Sequence, residues 1–448
     1  MRTRAPVLLN LVCCMALASG CGGGGGGGTL PGSSSSGLPH LPPAKQGKYF
    51  THIVILVQEN RTFDNLFATF PGADGTRYGK THNGRMRLRS APLESKPSPH
   101  NGYLYWIRDY NNGAMNGFDL VPVGQTPGTY VYQYVDPAQI KPYWTLAKKY
   151  VLADHMFQTE GSGSFTAHQD LIAGGSPIGD RREIDYPDGR PWGCDAPPGT
   201  VTSLITANNE YLAKAGPFPC LNYRTLRDLL DGDGISWRYY APQVGNNFAG
   251  NLWNGFDAIS AVRHGPQWGV NVTWPETLVF SDITNDTLPS VSWVIPDYDN
   301  SDHSGANSDT GPSWVAQVVN AIGASPSWKT TAILIVWDDW GGWYDHVAPP
   351  GKRSYGGLGF RVPLIVVSPF AKAAYVSHGQ YEFGSIVRFV EDNWGLPRLG
   401  TTDQRARDFV GDFFDFKQPA RAFTPIAAKY SAEFFGRQAP SGHPVDDE

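Results

Sequence analysis

The sequence predicts an α/β fold in which helices cover both faces of a mainly parallel central sheet. Short apolar runs, of which residues 332–337 are the clearest, have the length and the β-prone composition of fully buried strands. Other stretches, such as residues 313–322, repeat apolar positions with the period of an amphipathic helix. Because the two patterns alternate along the chain, we expect strands that are joined by crossover helices.

The composition is that of a globular, slightly acidic protein. The chain has 448 residues, of which 41% are hydrophobic and 17% are charged, so it can bury a large core. The formal net charge is -5, and no run of lysine and arginine supplies a basic groove. We therefore expect no nucleic-acid partner.

The N-terminus has the layout of a secretory signal peptide over residues 1–20. Two arginines precede an apolar segment, residues 7–18, that is too short to span a bilayer. The segment leads to Cys21 through a sequence similar to a bacterial lipobox, with Ala18 where leucine is usual. We expect export, with a lipid on Cys21 that anchors the protein to the outer membrane or the cell surface. The alternative is an ordinary cleaved signal and a periplasmic or secreted protein.

The rest of the chain divides into a tether, one large domain and a tail. Residues 21–46 are rich in glycine, serine and proline, which predicts a flexible tether. A single α/β domain is expected over residues 47–435, with long polar insertions at residues 73–125 and 176–222. Residues 436–448 are expected to form a polar tail.

Two cysteines remain for the domain once the signal peptide and Cys21 are set aside. Cys194 and Cys220 lie in a region rich in glycine and proline. Two such cysteines in an exported chain most simply form one disulfide, which would close a long insertion.

A pair of metal-binding residue types follows the first predicted strand, residues 49–57. Glu59 offers a carboxylate and Asn60 a carbonyl oxygen, and both groups bind hard cations. A helix is expected over residues 62–67, so the same pair also fits helix capping. Taken alone, the pattern favours capping over a cation site.

A second such pair follows the strand at residues 332–337. Asp338 and Asp339 lie at the carboxyl end of this strand, where α/β sheets place their ligand crevice. Two adjacent carboxylates there predict a cation site. A helix cap and a solvated turn are the alternative, but they do not account for the neighbouring Asp345 and His346.

A turn of small residues, 160–166, presents hydroxyl groups just before a helix predicted at residues 167–173. Ser164 in this turn would meet any anion bound at the N-terminus of the helix. The alternative is a serine that only caps the helix. The chain has no G-x-S-x-G elbow, which disfavours a metal-free α/β-hydrolase.

Further histidines lie in polar, loop-like stretches. His82 and His100 fall in the insertion at residues 73–125, where a histidine is usually only solvated, so position alone assigns neither of them a role. Another strand, predicted at residues 291–296, precedes a run of potential ligands that includes His303 but lacks the regular alternation of a calcium loop.

Five motifs together resemble the bacterial phosphoesterase family that holds phosphatidylcholine-type phospholipases C and related acid phosphatases. The motifs are E-N-R-T-F-D from Glu59, G-S-F around Ser164, S-D-H ending at His303, W-D-D ending at Asp339 and Y-D-H-V around His346. They are ordered and far apart, and the resemblance covers roughly residues 49–423. It implies an alkaline-phosphatase-like α/β sandwich that holds one divalent metal ion.

The resemblance also implies roles for individual residues. The implied metal ligands are Glu59, Asn60, Asp338 and Asp339, and Ser164 matches the position of the nucleophile. His303 and His346 match histidines of two family motifs, and His100 lies near the place of a third.

Two departures from the family pattern concern the acidic pair and the residues after the nucleophile. The pair is commonly Asp-Glu, but here it is Asp338 and Asp339, and the shorter ligand can alter metal preference. Thr166 and Ala167 replace the Pro-Asn of phospholipase C-like members, which weakens the case for phospholipase activity in particular.

These residues predict a metal-dependent phosphoric ester hydrolase that acts through a phosphoserine. Ser164 would attack phosphorus, and His303 or His346 would protonate the leaving oxygen, with Asp345 orienting His346. The substrate would be either a phospholipid, cleaved at its head group, or a phosphomonoester. The alternative is a non-catalytic surface lipoprotein that uses the same fold to bind a ligand or a partner.

Overall fold

Eight strands form the central sheet of the computed structural model. The structure describes residues 41–443, apart from 125, 180–181, 207, 209, 245–247, 250–252 and 352–356. The strands are β1 (His52–Gln58), β2 (Val151–Ala153), β3 (Trp237–Tyr240), β4 (Val272–Thr273), β5 (Val291–Val294), β6 (Thr331–Trp337), β7 (Leu364–Val367) and β8 (Tyr375–Ser377). Their spatial order is β4-β3-β5-β1-β6-β7-β2-β8. Strand β7 is antiparallel to both neighbours and the other pairs are parallel, which confirms the predicted α/β class.

Strands β1 and β6 lie side by side in the middle of the sheet. All residues of both strands are buried. Because successive side chains of a strand point to opposite faces, this burial means that both faces of the sheet are covered. Gln58 pairs with Trp337 at the carboxyl ends of the two strands, so Glu59 and Asp338 leave the sheet next to each other.

Eleven helices accompany the sheet in the described part of the chain. They are α1 (Phe63–Phe67), α2 (Tyr103–Tyr110), α3 (Lys141–Lys149), α4 (Ser164–Ala173), α5 (Leu226–Gly232), α6 (Ser260–Arg263), α7 (Leu278–Thr284), α8 (Gly311–Ala324), α9 (Phe383–Trp394), α10 (Val410–Phe413) and α11 (Ala432–Arg437). Among the described residues, no helix is both long enough and apolar enough to cross a membrane.

Helix α4 begins earlier than the sequence predicts. The expected start was residue 167, but the carbonyl of Gly163 already accepts hydrogen bonds from the backbone of Thr166 and Ala167, each at 3.1 Å. These bonds close the first turn around Ser164. Ser164 is therefore the first residue of the helix and does not precede it.

Short sheets form within the predicted insertions and also outside them. The strand pairings are Tyr78–Thr81 with Gly84–Arg87, Arg89–Ala91 with Gln133–Val135, Pro122–Val123 with Thr126–Pro127, Met156–Thr159 with Leu358–Arg361 and Tyr381–Glu382, Arg182–Pro187 with Thr202–Thr206 and Tyr211–Leu212, and Gln243–Val244 with Phe248–Ala249. Cys194 and Cys220 form the expected disulfide across a separation of 26 residues.

The N-terminal predictions fall largely outside the described residues. The expected signal peptide and residues 21–40 of the expected tether lie outside the residues that the structure describes. The chain contacts the domain from Lys45 onward, because its backbone nitrogen donates to Ser290 Oγ at 2.7 Å and its carbonyl accepts from Trp394 Nε1 at 2.9 Å.

Candidate active site

The pair Glu59 and Asn60 meets the pair Asp338 and Asp339 at the carboxyl ends of β1 and β6. The backbone nitrogen of Asn60 donates to Asp338 Oδ1 at 2.9 Å, and Glu59, Asn60 and Asp338 are all buried. Asn60 has a left-handed backbone, with φ of 60°, a conformation that asparagine tolerates better than most residues. The chain can therefore turn sharply at the end of β1. Thr62 caps α1 by accepting from Asn65, so Glu59 and Asn60 are not the helix cap.

A tight turn holds Asp339 beside this pair. Gly341, two residues after Asp339, has φ of 60°, and a Cβ atom at this position would lie 2.0 Å from the carbonyl oxygen of Asn60. The backbone nitrogen of Gly341 donates to Asp339 Oδ1 at 2.6 Å. The side-chain amide of Asn101 donates to both carboxylate oxygens of Asp339, at 3.0 and 2.9 Å. Asp339 is thus bound on several sides, and its orientation is well defined.

The structure distinguishes Ser164 from the other hydroxyl residues of its turn. Ser164 Oγ lies 3.1 Å from Asp339 Oδ2 and 3.4 Å from Asn60 Oδ1, at the N-terminus of α4. Ser162 Oγ instead donates to the carboxylate of Asp185. Thr166 Oγ1 is also turned to this neighbouring strand and donates to the carbonyl of Ile184 at 3.3 Å.

His168 joins the acidic centre from the next turn of α4. Its Nε2 lies 3.0 Å from Glu59 Oε1 and 3.7 Å from Asp338 Oδ2. The three side chains are buried, and their ligand-type atoms lie within 4.8 Å of one another. On the other side of the same centre, Asn60 and Asp339 surround the hydroxyl of Ser164.

The charge distribution of this centre suits a cation. Burial and the neighbouring charge of Glu59 raise the pKa of Asp338 well above its usual range. Asp338 Oδ2 is buried and accepts no hydrogen bond from the described part of the chain. Buried carboxylates side by side are costly unless they are neutralised. Carboxylate, amide oxygen and imidazole are all metal ligands, so these residues fit a divalent ion.

His303 lies on a loop that contacts Glu59 and Arg61, which follow β1. The carbonyl of Ser301 accepts from the backbone of Glu59 at 2.8 Å, and that of Asp302 accepts from Arg61 Nε at 2.8 Å. His303 Nδ1 accepts from the backbone nitrogen of Gly305 at 3.2 Å. The neutral ring therefore carries its proton on Nε2 and can donate a hydrogen bond from this nitrogen.

His346 is held by Asp64, not by Asp345 as the sequence predicts. Asp64 Oδ2 lies 2.7 Å from His346 Nδ1 and also accepts from the His346 backbone at 2.8 Å. Asp345 instead forms an ion pair with Arg361, whose Nε and Nη2 donate to the two carboxylate oxygens at 2.9 and 3.1 Å. Burial opposes the imidazolium, but the hydrogen bond to Asp64 and the charges of Asp64 and Asp345 raise the pKa of His346.

Asp64, Asp345 and His346 form a second group whose ligand-type atoms lie within 4.8 Å of one another, which is close enough to hold a metal ion. Arg361 Nη2, however, lies 3.4 Å from Asp64 Oδ1 in addition to its bonds with Asp345. The guanidinium already supplies the positive charge that two buried carboxylates need. We therefore assign this group to an ion-pair network that orients His346.

His100 has a different environment from the one its sequence position suggests. Its ring stacks on Tyr105 with 4.6 Å between centroids, and burial lowers the pKa of His100. The adjacent residue, Asn101, is the one whose side chain binds Asp339.

Sequence reasoning missed four residues of the site: Asn101, His168, Asp64 and Arg361. Two of them carried a usable signal. His168 follows Ser164 by one helical turn and therefore shares its face of α4. Asp64 lies within the first motif, but only the fold shows that it meets His346, 282 residues away.

Comparison with known proteins agrees with this geometry. Residues 50–397 match the model of the phosphoesterase family. A non-hemolytic phospholipase C of Pseudomonas aeruginosa is 27% identical over 425 residues, which cover 82% of this chain and 57% of that protein. Phospholipase C B of Mycobacterium tuberculosis is 26% identical over 435 residues, covering 84% of this chain and 79% of that one.

A solved structure is also similar to the chain. It is a protein of the alkaline phosphatase superfamily from Vibrio parahaemolyticus, with 10% identity and a TM-score of 0.38 over 82% of this chain and 72% of that one. The chain spans little more than half the length of the Pseudomonas relative. Since the family model covers most of the chain and the motifs converge in space, the chain belongs to the phosphoesterase family.

Proposed function

We propose that the protein is a metal-dependent hydrolase that cleaves the head-group phosphodiester of phospholipids through a phosphoserine. The observation that carries the proposal is the position of Ser164, whose hydroxyl lies at the N-terminus of α4, 3.1 Å from Asp339 and beside the other ligand-type side chains. The phospholipid substrate is supported by relatives that are named phospholipases C. A phosphomonoester substrate is the competing outcome.

The residues of the site divide the chemistry between them. Ser164 Oγ forms a bond to phosphorus while the bond from phosphorus to the leaving alcohol breaks, and the serine proton passes to Asp339 Oδ2. The N-terminus of α4 favours the negative charge of the phosphate. When bound by Glu59, Asn60, Asp338 and Asp339, a divalent cation would neutralise charge on the phosphate oxygens.

A histidine supplies the proton that the leaving alcohol needs. His346 is favoured as an imidazolium by Asp64 and so has a proton to give, whereas the neutral ring of His303 carries its proton on Nε2 and donates a hydrogen bond to the leaving oxygen. Water then adds to phosphorus and returns a proton to the histidine, the bond from phosphorus to Ser164 Oγ breaks, and Asp339 returns the serine proton as phosphate monoester is released. These contacts favour His346 as the acid, and His303 in its imidazolium form is the alternative.

The nucleophile is tested by replacing single hydroxyl groups in the same turn. Ser164→Ala should abolish turnover of a chromogenic phosphodiester and of phosphatidylcholine vesicles, while the matched control Ser162→Ala should retain turnover because Ser162 binds Asp185. Acid quenching of the wild type during turnover should trap phosphate on Ser164. Near-normal turnover by Ser164→Ala would contradict the phosphoserine mechanism.

The substrate class and the metal are tested with the same protein. Hydrolysis of phosphodiesters and phosphomonoesters is compared with and without a chelator. We expect the diester to be preferred and the chelator to stop hydrolysis, with recovery when a divalent ion is added. Preference for the monoester would change the substrate assignment, and full activity in a chelator would contradict the metal requirement.

Export with a lipid on Cys21 completes the proposal. It is supported by the signal-like layout of residues 1–20 and by the lipobox-like sequence before Cys21. Cells grown with a labelled fatty acid should label the wild type but not Cys21→Ser. Labelling that persists in Cys21→Ser would contradict the anchor.

A further inference from the structure

His168 occupies the acidic centre of the site, although none of the sequence motifs assigns it a role. It lies one turn after Ser164 on α4, and its Nε2 is 3.0 Å from Glu59 Oε1 and 3.7 Å from Asp338 Oδ2. We infer that His168 is a direct ligand of the divalent cation, together with Glu59 and Asp338. The inference rests on the cation site of the proposed function and adds a nitrogen ligand to its oxygen ligands.

The spacing of the three side chains matches that of ligands around one ion. Metal bonds to imidazole and carboxylate are about 2.0–2.2 Å long, so two such ligands lie about 3 Å apart at a right angle and about 3.4 Å apart at the tetrahedral angle. The separation of His168 from Glu59 agrees with the first value, and that from Asp338 is slightly above the second. All three residues are almost completely buried, so their side chains are held in place.

A tyrosine fixes the orientation of the imidazole ring. The hydroxyl of Tyr239 donates its single proton to the carbonyl of Trp253 at 2.7 Å. Its oxygen also lies 3.4 Å from His168 Nδ1 and can accept a hydrogen bond from that nitrogen. A histidine that binds a metal through one nitrogen typically donates from the other in this way.

In this tautomer, the lone pair of Nε2 can bind a cation. With its proton on Nδ1, the neutral ring of His168 directs the lone pair of Nε2 at the carboxylates of Glu59 and Asp338. Lone pairs facing each other repel, and Asp338 Oδ2 accepts no hydrogen bond from the described residues. A metal ion between the three atoms would turn this repulsion into three coordination bonds.

The nitrogen ligand also indicates the kind of metal. Oxygen-only sites suit Mg²⁺ and Ca²⁺, whereas imidazole favours first-row transition ions such as Zn²⁺ and Fe²⁺, and Mn²⁺ accepts both donor types. We therefore assign a first-row transition ion to this site.

The ligand is tested spectroscopically with Mn²⁺ as the probe. Pulsed electron paramagnetic resonance of the Mn²⁺-loaded wild type should show the hyperfine coupling of one directly bound imidazole nitrogen. His168→Gln should lose this coupling and bind Mn²⁺ at least about ten-fold more weakly. The ratio of Mn²⁺ affinity to Mg²⁺ affinity should also be smaller for His168→Gln than for the wild type, because glutamine offers oxygen in place of the imidazole nitrogen.

Two further variants separate a ligand from a supporting residue. His378→Gln removes an exposed histidine and should keep both the coupling and the affinity. Tyr239→Phe removes only the hydroxyl beside Nδ1 and should keep the coupling. Stoichiometric Mn²⁺ binding without nitrogen coupling would overturn the role of His168 but leave the cation site intact. A wild type that binds no divalent ion would overturn the cation site and this inference together.

Discussion

At the residue scale, the carboxylate of Asp64 determines the charge state of His346. Asp64 contacts both the ring nitrogen and the backbone nitrogen of this residue, at 2.7 and 2.8 Å. Arg361 contacts Asp64 and Asp345 together, so the network is rigid as well as charged. The raised pKa of His346 is therefore a property of residues distant in sequence, and replacing Asp64 should change it.

Asp64→Asn should lower the pKa of His346, because the variant keeps the shape of the side chain and loses its charge. If His346 is the general acid, hydrolysis declines as pH rises through this pKa, so the alkaline limb of the rate profile should move to lower pH. Titration of His346 by NMR and the pH dependence of kcat/KM measure the two effects.

A second replacement provides the comparison. Asp74 Oδ1 lies 3.3 Å from His346 Nε2, but its side chain is 44% exposed, so Asp74→Asn should shift the pKa of His346 less than Asp64→Asn does. An unchanged titration of His346 in Asp64→Asn would refute the assigned role of Asp64.

Gly341 permits the turn after β6, which holds Asp339, to approach the backbone of Asn60 closely. Gly341→Ala would place a Cβ atom 2.0 Å from the carbonyl of Asn60 in a left-handed backbone, so it should destabilise the protein by about 2–4 kcal/mol and weaken metal binding. Unfolding in urea and metal titration measure these losses. Gly232→Ala is the matched control, since no atom lies within 4 Å of its added Cβ, and it should be neutral or slightly stabilising. Equal stability of the two variants would contradict the steric argument.

At the scale of secondary-structure elements, helix α4 connects the nucleophile with the cation centre. Its first residue is Ser164, and one turn later it presents His168 on the same face. Ser162, just before the helix, and Thr166, in its first turn, contact the strand Arg182–Pro187. The insertion that contains this strand therefore supports the position of α4 and is more than a surface excursion.

The disulfide in this insertion should contribute to its stability. Cys194 and Cys220 are separated by 26 residues, and closing a loop of that length in the unfolded chain corresponds to about 3.5 kcal/mol. The double variant Cys194→Ser/Cys220→Ser should lower the melting temperature measured by circular dichroism. A reductant should lower the melting temperature of the wild type and leave that of the variant unchanged. A reductant without effect on the wild type would argue against the bridge.

At the scale of the whole molecule, buried acids make stability depend on pH. Burial, followed by the charge of Asp297, raises the pKa of Glu276 to about 8, and burial raises the pKa of Glu391 to about 7 and that of Asp302 to about 6. Between the ordinary carboxyl pKa and these values, the folded state keeps protons that the unfolded state has already released. Folding stability therefore falls as pH rises through this interval and levels off above the folded pKa.

The largest of these pKa shifts gives a direct test. Wild-type stability should decrease from pH 5 to pH 8, with Glu276 contributing on the order of a few kcal/mol. Glu276→Gln should make the decrease shallower, whereas Glu210→Gln, at an exposed position, should follow the wild type. Urea unfolding at several pH values measures the slopes. Identical slopes for wild type and Glu276→Gln would contradict a protonated Glu276.

Much of the fold could be predicted from local patterns. Buried apolar runs marked β1 and β6, and in a parallel sheet the residues after such strands meet at one edge. The structure places Glu59 beside Asp338 at this edge. The local pattern after β1 favoured helix capping, and only the family resemblance named Glu59 as a ligand. The start of α4 was misplaced, because the small residues before it gave no helical periodicity and only the bonds to Gly163 revealed the first turn.

By itself, the sequence determined the α/β class, the acidic pairs at the strand ends, the disulfide and the family, because each depends on local periodicity or on motifs that can be read in order. The tertiary structure alone decided that Ser164 rather than Ser162 faces the carboxylates, that Asp64 and not Asp345 holds His346, and that His168 enters the cation centre. These facts depend on the rotation of α4 and on contacts between residues more than a hundred positions apart. A one-dimensional pattern contains no information on such contacts until the backbone turns at Asn60, Gly163 and Gly341 are known.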